Sequence, residues 1–315
     1  MSPVTCLPSL RGFLPRTGLL LEARGTSIDL SRPRIMGILN ITPDSFFDGG
    51  KLLAPGTDRP NVAVAVRKAK ALVSEGADLL DVGGESTRPG AEPVPVEREC
   101  ARVLPVVEAL AAEVPVPISI DTRHAETARR ALEAGAALVN DISCLADGAM
   151  AGVCADAGAG LVVSHLRGEP RTMQENIAFE RLIEEVATEL AGAVERARAA
   201  GVSSASIVVD PGIGFGKTAE QSAALLVAAG DLEAACGCPV LVGASRKRFL
   251  GAMTGRDVGE RLVPSVTAAV LAVGAGARIV RVHDVAETRA ALTVAEKAAA
   301  AYVRHAPSTV DGGSP

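Results

Sequence analysis

Asn40, Asp81, Asp121, Asn140, His165, Asp210, Ser245 and His283 each sit at or near the end of a short apolar run. Carboxylates and amides placed beside apolar surroundings are costly unless paired. One pairing is internal: Arg123, Arg246 or Lys247 could form salt bridges to the acids. The other is with a ligand. Asp121, Asn140 and Asp210 together suit a flat ring with several N–H donors, such as the 2-amino-pyrimidinone edge of a pterin or a guanine. Arg281 and His283 are two residues apart, so on a strand they share a face. A cation and an imidazole side by side suit an anion.

The runs that carry these residues cover 35–40, 78–83, 117–121, 137–142, 161–165, 206–210, 239–245 and 278–284. Continuous apolar runs are the habit of parallel strands buried on both faces. Seven follow a stretch that reads as helix, and Gly76, Gly135 and Gly276 sit in breakers just before a run. Val62, Ala65, Val66, Ala69, Leu72 and Val73 make one helical stripe, and Val285, Thr288, Leu292, Ala295, Ala299 and Tyr302 another. A long helix is expected over about 177–200. Eight β-then-α units in one chain predict an α/β fold, a single (β/α)8 TIM barrel over residues 34–305. Its C-terminal strand ends form one rim, which gathers residues that chain order scatters. The loops after strands seven and eight are where such barrels bind phosphate, which favours an anion site at Arg281 and His283. Residues 1–33 form an N-terminal extension that either caps the barrel bottom or is partly disordered, and 306–315 is expected to be a disordered tail.

Composition narrows the class further. The formal charge of −5 argues against general nucleic-acid binding. No apolar run reaches the length of a membrane span, and the first residues lack a convincing signal-peptide cleavage site, so a cytoplasmic protein is expected. The six cysteines include Cys236-Gly237-Cys238 but no pair of C-x-x-C motifs, so free thiols are the simplest reading. Aromatic residues are only 2% of the chain, which makes Phe46, Phe47 and Phe215 stand out in their loops.

Three strand-to-helix loops are long, at 41–60, 83–95 and 166–176, and long rim loops are usually functional. Thr42-Pro43-Asp44 and Asp48-Gly49-Gly50 are turn chemistry, yet two phenylalanines between them need a partner to cover them. Gly83-Gly84-Glu85-Ser86-Thr87-Arg88-Pro89-Gly90 reads either as a plain loop or as a Gly-rich anion loop or lid. Asp210-Pro211-Gly212-Ile213-Gly214-Phe215-Gly216-Lys217-Thr218 is not a P-loop, because Pro211 stands where G-x-x-x-x-G-K-T needs its first glycine. It reads as a flexible loop presenting Phe215 and Lys217 at the rim. The basic run Arg246-Lys247-Arg248 follows a buried strand directly, so at least one of its side chains should enter the pocket.

These motifs resemble the dihydropteroate synthase family. Ile38-Leu39-Asn40-Ile41-Thr42-Pro43-Asp44-Ser45-Phe46 and Asp81 through Gly90 are similar to its two signatures. Ser119-Ile120-Asp121-Thr122, Val139-Asn140-Asp141-Ile142, Asp210 through Lys217, Ser245-Arg246-Lys247 and Arg281-Val282-His283-Asp284 extend the match, in order, over roughly 34–300. The resemblance implies a transferase of folate biosynthesis that joins 6-hydroxymethyl-7,8-dihydropterin pyrophosphate to 4-aminobenzoate. It also implies Mg²⁺, sulfonamide inhibition and a homodimer.

By that resemblance Asp121, Asn140, Asp210 and Lys247 hold the pterin. Asn40, Arg281 and His283 hold the pyrophosphate, with Asn40 near the metal. Phe46, Thr87, Arg88, Pro89, Phe215 and Arg248 shape the aminobenzoate site. Asp48, Lys247, Arg281 and His283 are the expected catalytic residues. Ser164 and Leu166 depart from the family, which commonly has Met at both positions. Two other classes compete: a methyltransferase-type pterin barrel and a non-catalytic pterin-binding paralogue. The first would not need the first loop, Ser245-Arg246-Lys247 or the Arg281/His283 pair, and against the second the sequence shows no missing catalytic residue.

Overall fold

The computed structural model describes residues 12–43, 52–54, 57–86, 90–169 and 171–306. A hairpin, β1 (Leu20–Ala23) and β2 (Thr26–Asp29), comes first, followed by β3 (Arg34–Asn40), α1 (Val62–Ser74), β4 (Leu79–Gly83), α2 (Val96–Glu113), β5 (Ile118–Asp121) and α3 (Ala125–Glu133). Then come β6 (Leu138–Asp141), α4 (Met150–Ala157), β7 (Gly160–Ser164), α5 (Leu182–Ala199), β8 (Ile207–Asp210), α6 (Ala219–Leu226) and α7 (Ala229–Cys236). The chain ends with β9 (Leu241–Val242), α8 (Arg248–Thr254), α9 (Leu262–Gly274), β10 (Ile279–Val282) and α10 (Val285–His305).

Eight strands pair in parallel in the order β8-β7-β6-β5-β4-β3-β10-β9. The two edges meet through a parallel bridge between Val209 and Val240, with the Val209 amide donating to the Pro239 carbonyl at 3.0 Å, and this closes the barrel. The eight expected runs are therefore the eight barrel strands. The run at 239–245 gives the shortest, because Pro239 has no amide to donate and the chain turns away after Val242. Helix α5 starts at Leu182, five residues later than the periodicity suggests.

Period-two alternation divides each strand between two cores. Val82, Ile120, Val139, Val163, Val209 and Val280 face the helices. Met36, Leu79, Leu138, Val162, Val208, Leu241 and Ile279 face inward and form an apolar floor with Leu21, Ala23, Ile28 and Leu30 of the hairpin region. The hairpin turns through Arg24 and Gly25, at φ 47° and 76°. Two successive left-handed residues make the tight turn that suits twisted strands. Two residues beyond the apolar floor, the same strands present Asp81, Asn140, Ser164, Asp210 and Arg281. The barrel interior therefore changes from apolar to polar within one step of the pleat.

Helix α2 carries a buried acid, Glu99, whose Oε2 accepts from the Thr127 hydroxyl at 2.7 Å. Gly84 lies against it, and a Cβ there would come within 2.7 Å of Val103 Cγ1 and 3.2 Å of Glu99 Cγ. Burial pushes the Glu99 carboxyl up to about 7, against hydrogen bonds from Thr127 and Thr122, with Glu85 adding to the rise and Arg123 opposing it. The folded value lies above the unfolded one. Its stabilisation is thus full below about pH 4.5 and lost as pH rises through 7. Glu99→Gln should flatten that decline, which is on the order of 3 kcal/mol across the window. Thermal melts of both proteins between pH 4.5 and 8 check this, and parallel profiles would reject it.

Candidate active site

The polar ends of the strands open into a cavity of about 930 Å³. Asn40, Asp121, Phe215, Lys247, Arg248, Arg281 and His283 all border it. Asn140 and Asp210 are buried in the barrel wall and do not border it. Asp48, Phe46, Thr87, Arg88 and Pro89 lie outside the described residues, as does the tail beyond 306.

Arg281 dominates the cavity floor. Its Nε donates to Asp81 Oδ2 at 2.5 Å and its Nη2 to Asp121 Oδ2 at 2.7 Å. The Asn140 amide donates to the same Asp81 oxygen at 3.0 Å. Burial opposes charge on Arg281, yet Asp81 and Asp121 beside it hold the guanidinium proton above its ordinary value. Burial also raises Asp121, against the pull of Arg281. On four neighbouring strands, β4 to β7, Asp81 Oδ1, Ser119 Oγ, Asn140 Oδ1 and Ser164 Oγ are buried with no hydrogen-bond partner among the described residues. Unpaired buried polar atoms are rare, and four side by side call for a ligand that supplies the missing partners.

The sixth loop folds inward rather than out along the rim. Gly212, Gly214 and Gly216 all have positive φ, at 64°, 79° and 61°. A Cβ at Gly212 would meet the His165 carbonyl oxygen at 1.8 Å, so only glycine fits there. Asp210 Oδ1 pins the bend by accepting the Gly212 amide at 2.7 Å. The three left-handed residues fold the loop back on itself. Lys217 is therefore buried rather than presented at the rim, and only its contact with the cavity wall remains. Its ammonium donates to the Phe215 carbonyl at 2.8 Å and to His165 Nδ1 at 2.9 Å. With Nδ1 accepting, His165 Nε2–H faces Glu189 Oε2 at 3.0 Å, which assigns the tautomer. Burial, then Lys217, push His165 down, so the ring is neutral. Burial brings Lys217 down to about 7. Phe215 packs on Ile142, Leu166 and Met173.

Beside Phe215, Lys247 donates to the Ile213 carbonyl at 2.5 Å and its Nζ lies 4.2 Å from the Phe215 ring centre. Burial lowers Lys247 to about 8, with Asp210 opposing. Arg246, at φ 58°, borders the cavity beside Lys247 and Arg248. There it meets Asp284 in a buried two-point pair, at 2.9 and 2.6 Å. All three consecutive cations therefore border the cavity, with Arg246 held to Asp284. Ser245 Oγ lies 3.0 Å from His283 Nδ1 and accepts the His283 amide at 3.2 Å. Arg248, the first residue of α8, is exposed at the mouth.

Geometry thus brings Asn40, Asp121, Phe215, Lys247, Arg248, Arg281 and His283 to one cavity, with Asn140 and Asp210 buried in the wall behind it. It adds Asp81, Ser119 and Ser164 inside the barrel, and the His165–Lys217–Glu189 network behind Phe215. Asp81 lay in view as a charged residue within an apolar run, but its partner is 200 residues away in the chain.

A parallel barrel with acids and amides at its strand ends is the frame of a pterin-binding enzyme. Residues 36–283 match the family model described as "Pterin binding enzyme". Dihydropteroate synthase from Escherichia coli K12 is 41% identical over 276 residues, covering 88% of this chain and 95% of that protein. The protein of the same name from Synechocystis is 44% identical over 256 residues, 81% of this chain and 86% of its own length. Among solved structures, Yersinia pestis dihydropteroate synthase with a sulfonamide drug superposes with a TM-score of 0.83 at 40% identity, over 89% of this chain and 99% of that one. The Xanthomonas albilineans enzyme in complex with 7,8-dihydropteroate gives 0.77 at 38% identity, over 91% and 100%. The chain belongs to the dihydropteroate synthase family.

Proposed function

We propose that this chain condenses 6-hydroxymethyl-7,8-dihydropterin pyrophosphate with 4-aminobenzoate, releasing pyrophosphate and 7,8-dihydropteroate for folate biosynthesis. The observation that carries the reading is the row of unpaired polar atoms on β4 to β7, flanked by Asp121 and Asp210. Ring N–H donors complete that set. Relatives bearing the same name, and a structure of one of them holding 7,8-dihydropteroate, support the choice of ring.

Asp121, Asn140 and Asp210 orient the ring so that its exocyclic methylene faces the cavity. As the C–O bond breaks, positive charge spreads from the methylene into the ring, and the two carboxylates stabilise it. Arg281 and His283 neutralise the departing pyrophosphate. The arylamine then attacks the methylene and loses its proton, so no side-chain nucleophile is needed. Phe215 and Arg248 border the second substrate's site, and Lys247, beside the Phe215 ring, holds the pterin. The apolar support under Phe215 comes from Leu166 and Met173, so the departure at Leu166 keeps that surface apolar.

Among the described residues no cluster of three His, Cys, Asp or Glu side chains could hold a metal. Asn40 nevertheless offers a hard amide oxygen at the mouth, and Mg²⁺ is usually held by few protein oxygens together with substrate phosphates. Asn40 fits that pattern, and the ion would supply charge neutralisation for the pyrophosphate. No helix of the described residues is long and apolar enough to cross a membrane. A cytoplasmic homodimer inhibited by sulfonamides completes the proposal, the last by analogy with the drug-bound Yersinia pestis enzyme.

Pyrophosphate release that requires both substrates tests the reaction. Ring binding without turnover points to the paralogue, and methyl transfer from a methylated folate points to the other barrel class. A second test isolates Phe215. Lys217→Met keeps the length of the side chain but loses the donors to Phe215 and His165. The KM for aminobenzoate should rise about 10-fold, the worth of one charge-assisted bond, with pterin affinity unchanged. Equal losses for both substrates would reject this role.

A further inference from the structure

Asp81 is fully buried, and among the described residues its cationic partner is Arg281. That arginine comes from β10, while Asp81 is on β4 and Asp121 on β5. Strand β3 lies between β10 and β4, so the guanidinium reaches across the barrel mouth to bridge the two acids. It presents two N–H donors on one plane to two carboxylates. A 2-amino-pyrimidinone edge presents the same array. Arg281 therefore stands where it competes with the ring for Asp121. With Nε and Nη2 engaged by acids, only Nη1 and the second Nη2 hydrogen remain for an anion, so part of its donor fork is closed to a pyrophosphate.

We infer, on the reading proposed above, that Asp81 is a positioning residue: it parks Arg281 on the ring-recognising acids until the pterin displaces it toward the pyrophosphate. A buried carboxylate left without a partner is strongly disfavoured, so Arg281 stays parked in the absence of the ring. The incoming ring N–H groups replace the guanidinium donors, and the released side chain swings toward His283, two residues further along its own chain. Ring recognition and anion binding are then one linked equilibrium. A free pyrophosphate meets a parked arginine, whereas a pterin pyrophosphate frees it by its own ring. The unpaired Asp81 Oδ1 and Asn140 Oδ1 await further donors from the same ring.

Calorimetry with inorganic pyrophosphate, with and without saturating 6-hydroxymethylpterin and at one fixed Mg²⁺ concentration, measures the linkage. In the wild-type protein the pterin should tighten pyrophosphate binding roughly 10-fold, within the usual range for coupled sites. In Asp81→Asn, which keeps the shape but loses the charge, pyrophosphate alone should bind more tightly than to wild type. The pterin should then add less than about 3-fold. A merely structural role for Asp81 would weaken both ligands and could not tighten one. The wild-type measurement decides the matter even if the variant does not fold. Pterin binding without any effect on pyrophosphate overturns the inference alone. Failure of the pterin to bind overturns the ring-site reading, and the inference with it.

Discussion

Arg281→Ala should lower kcat/KM for condensation by roughly 30- to 1000-fold, on the order of 2–4 kcal/mol. The guanidinium offers a planar fork to the pyrophosphate, and charge builds up on that group as the C–O bond breaks. Interactions that strengthen in the transition state appear in kcat, so the loss should fall mainly there. Affinity for a pterin lacking pyrophosphate should survive, because the acids and amides that recognise the ring remain. Folding of the variant suffers separately, since Asp81 and Asp121 lose their shared cation at 2.5 and 2.7 Å. The ring analogue should therefore raise the melting temperature of Arg281→Ala more than that of the wild type. Arg281→Lys restores the charge but not the fork, so it should recover only part of the rate. Steady-state pyrophosphate release and thermal melts provide both readouts. A variant that turns over at the wild-type rate would remove Arg281 from the anion site.

The barrel was legible because its strands obey a simple rule. On β4, β6, β7, β8 and β10 the inner face passes from apolar to polar within the strand while its neighbours stay mostly apolar, so these strands read as apolar runs closed by a chemical group. Leu79-Leu80-Asp81 and Val208-Val209-Asp210 show this directly. The site was legible to the extent that it is built from those closing groups. What could not be read depends on backbone handedness or on distant pairing. Lys217 reads as a rim residue until Gly212, Gly214 and Gly216 take left-handed conformations and fold it inward. Arg246 reads as equivalent to Lys247 until its buried pair with Asp284 sets it apart. Asp81 reads as one acid among several until Arg281 arrives from the last strand. The hairpin at 20–29 lay outside the repeat, and only the Arg24-Gly25 pair marked its turn.

Asp210→Asn is the corresponding test of ring recognition. Asp210 does two things in the structure: Oδ1 accepts the Gly212 amide at 2.7 Å, and its charge faces the barrel interior. An asparagine oxygen can keep the first role, so the loop that carries Phe215 should hold its shape. The second role is lost. Burial already raises the Asp210 carboxyl, with Lys247 foremost among the groups that oppose the rise. A neutral amide at this buried place should therefore cost the folded protein little. The ring N–H donors, however, exchange an anionic acceptor for a neutral one, or face an amide N–H. Affinity for a pterin analogue should fall about 10- to 100-fold, the range for a hydrogen bond to a charged group. A second consequence has a definite sign. Asp210 holds the Lys247 ammonium up against burial, at about 8. Without that carboxylate Lys247 should lose its proton at lower pH, and the alkaline limb of pterin binding should move toward neutrality. Calorimetry from pH 6 to 9 would show both effects together. Equal affinity and an unmoved limb would place the ring elsewhere in the cavity, away from β8.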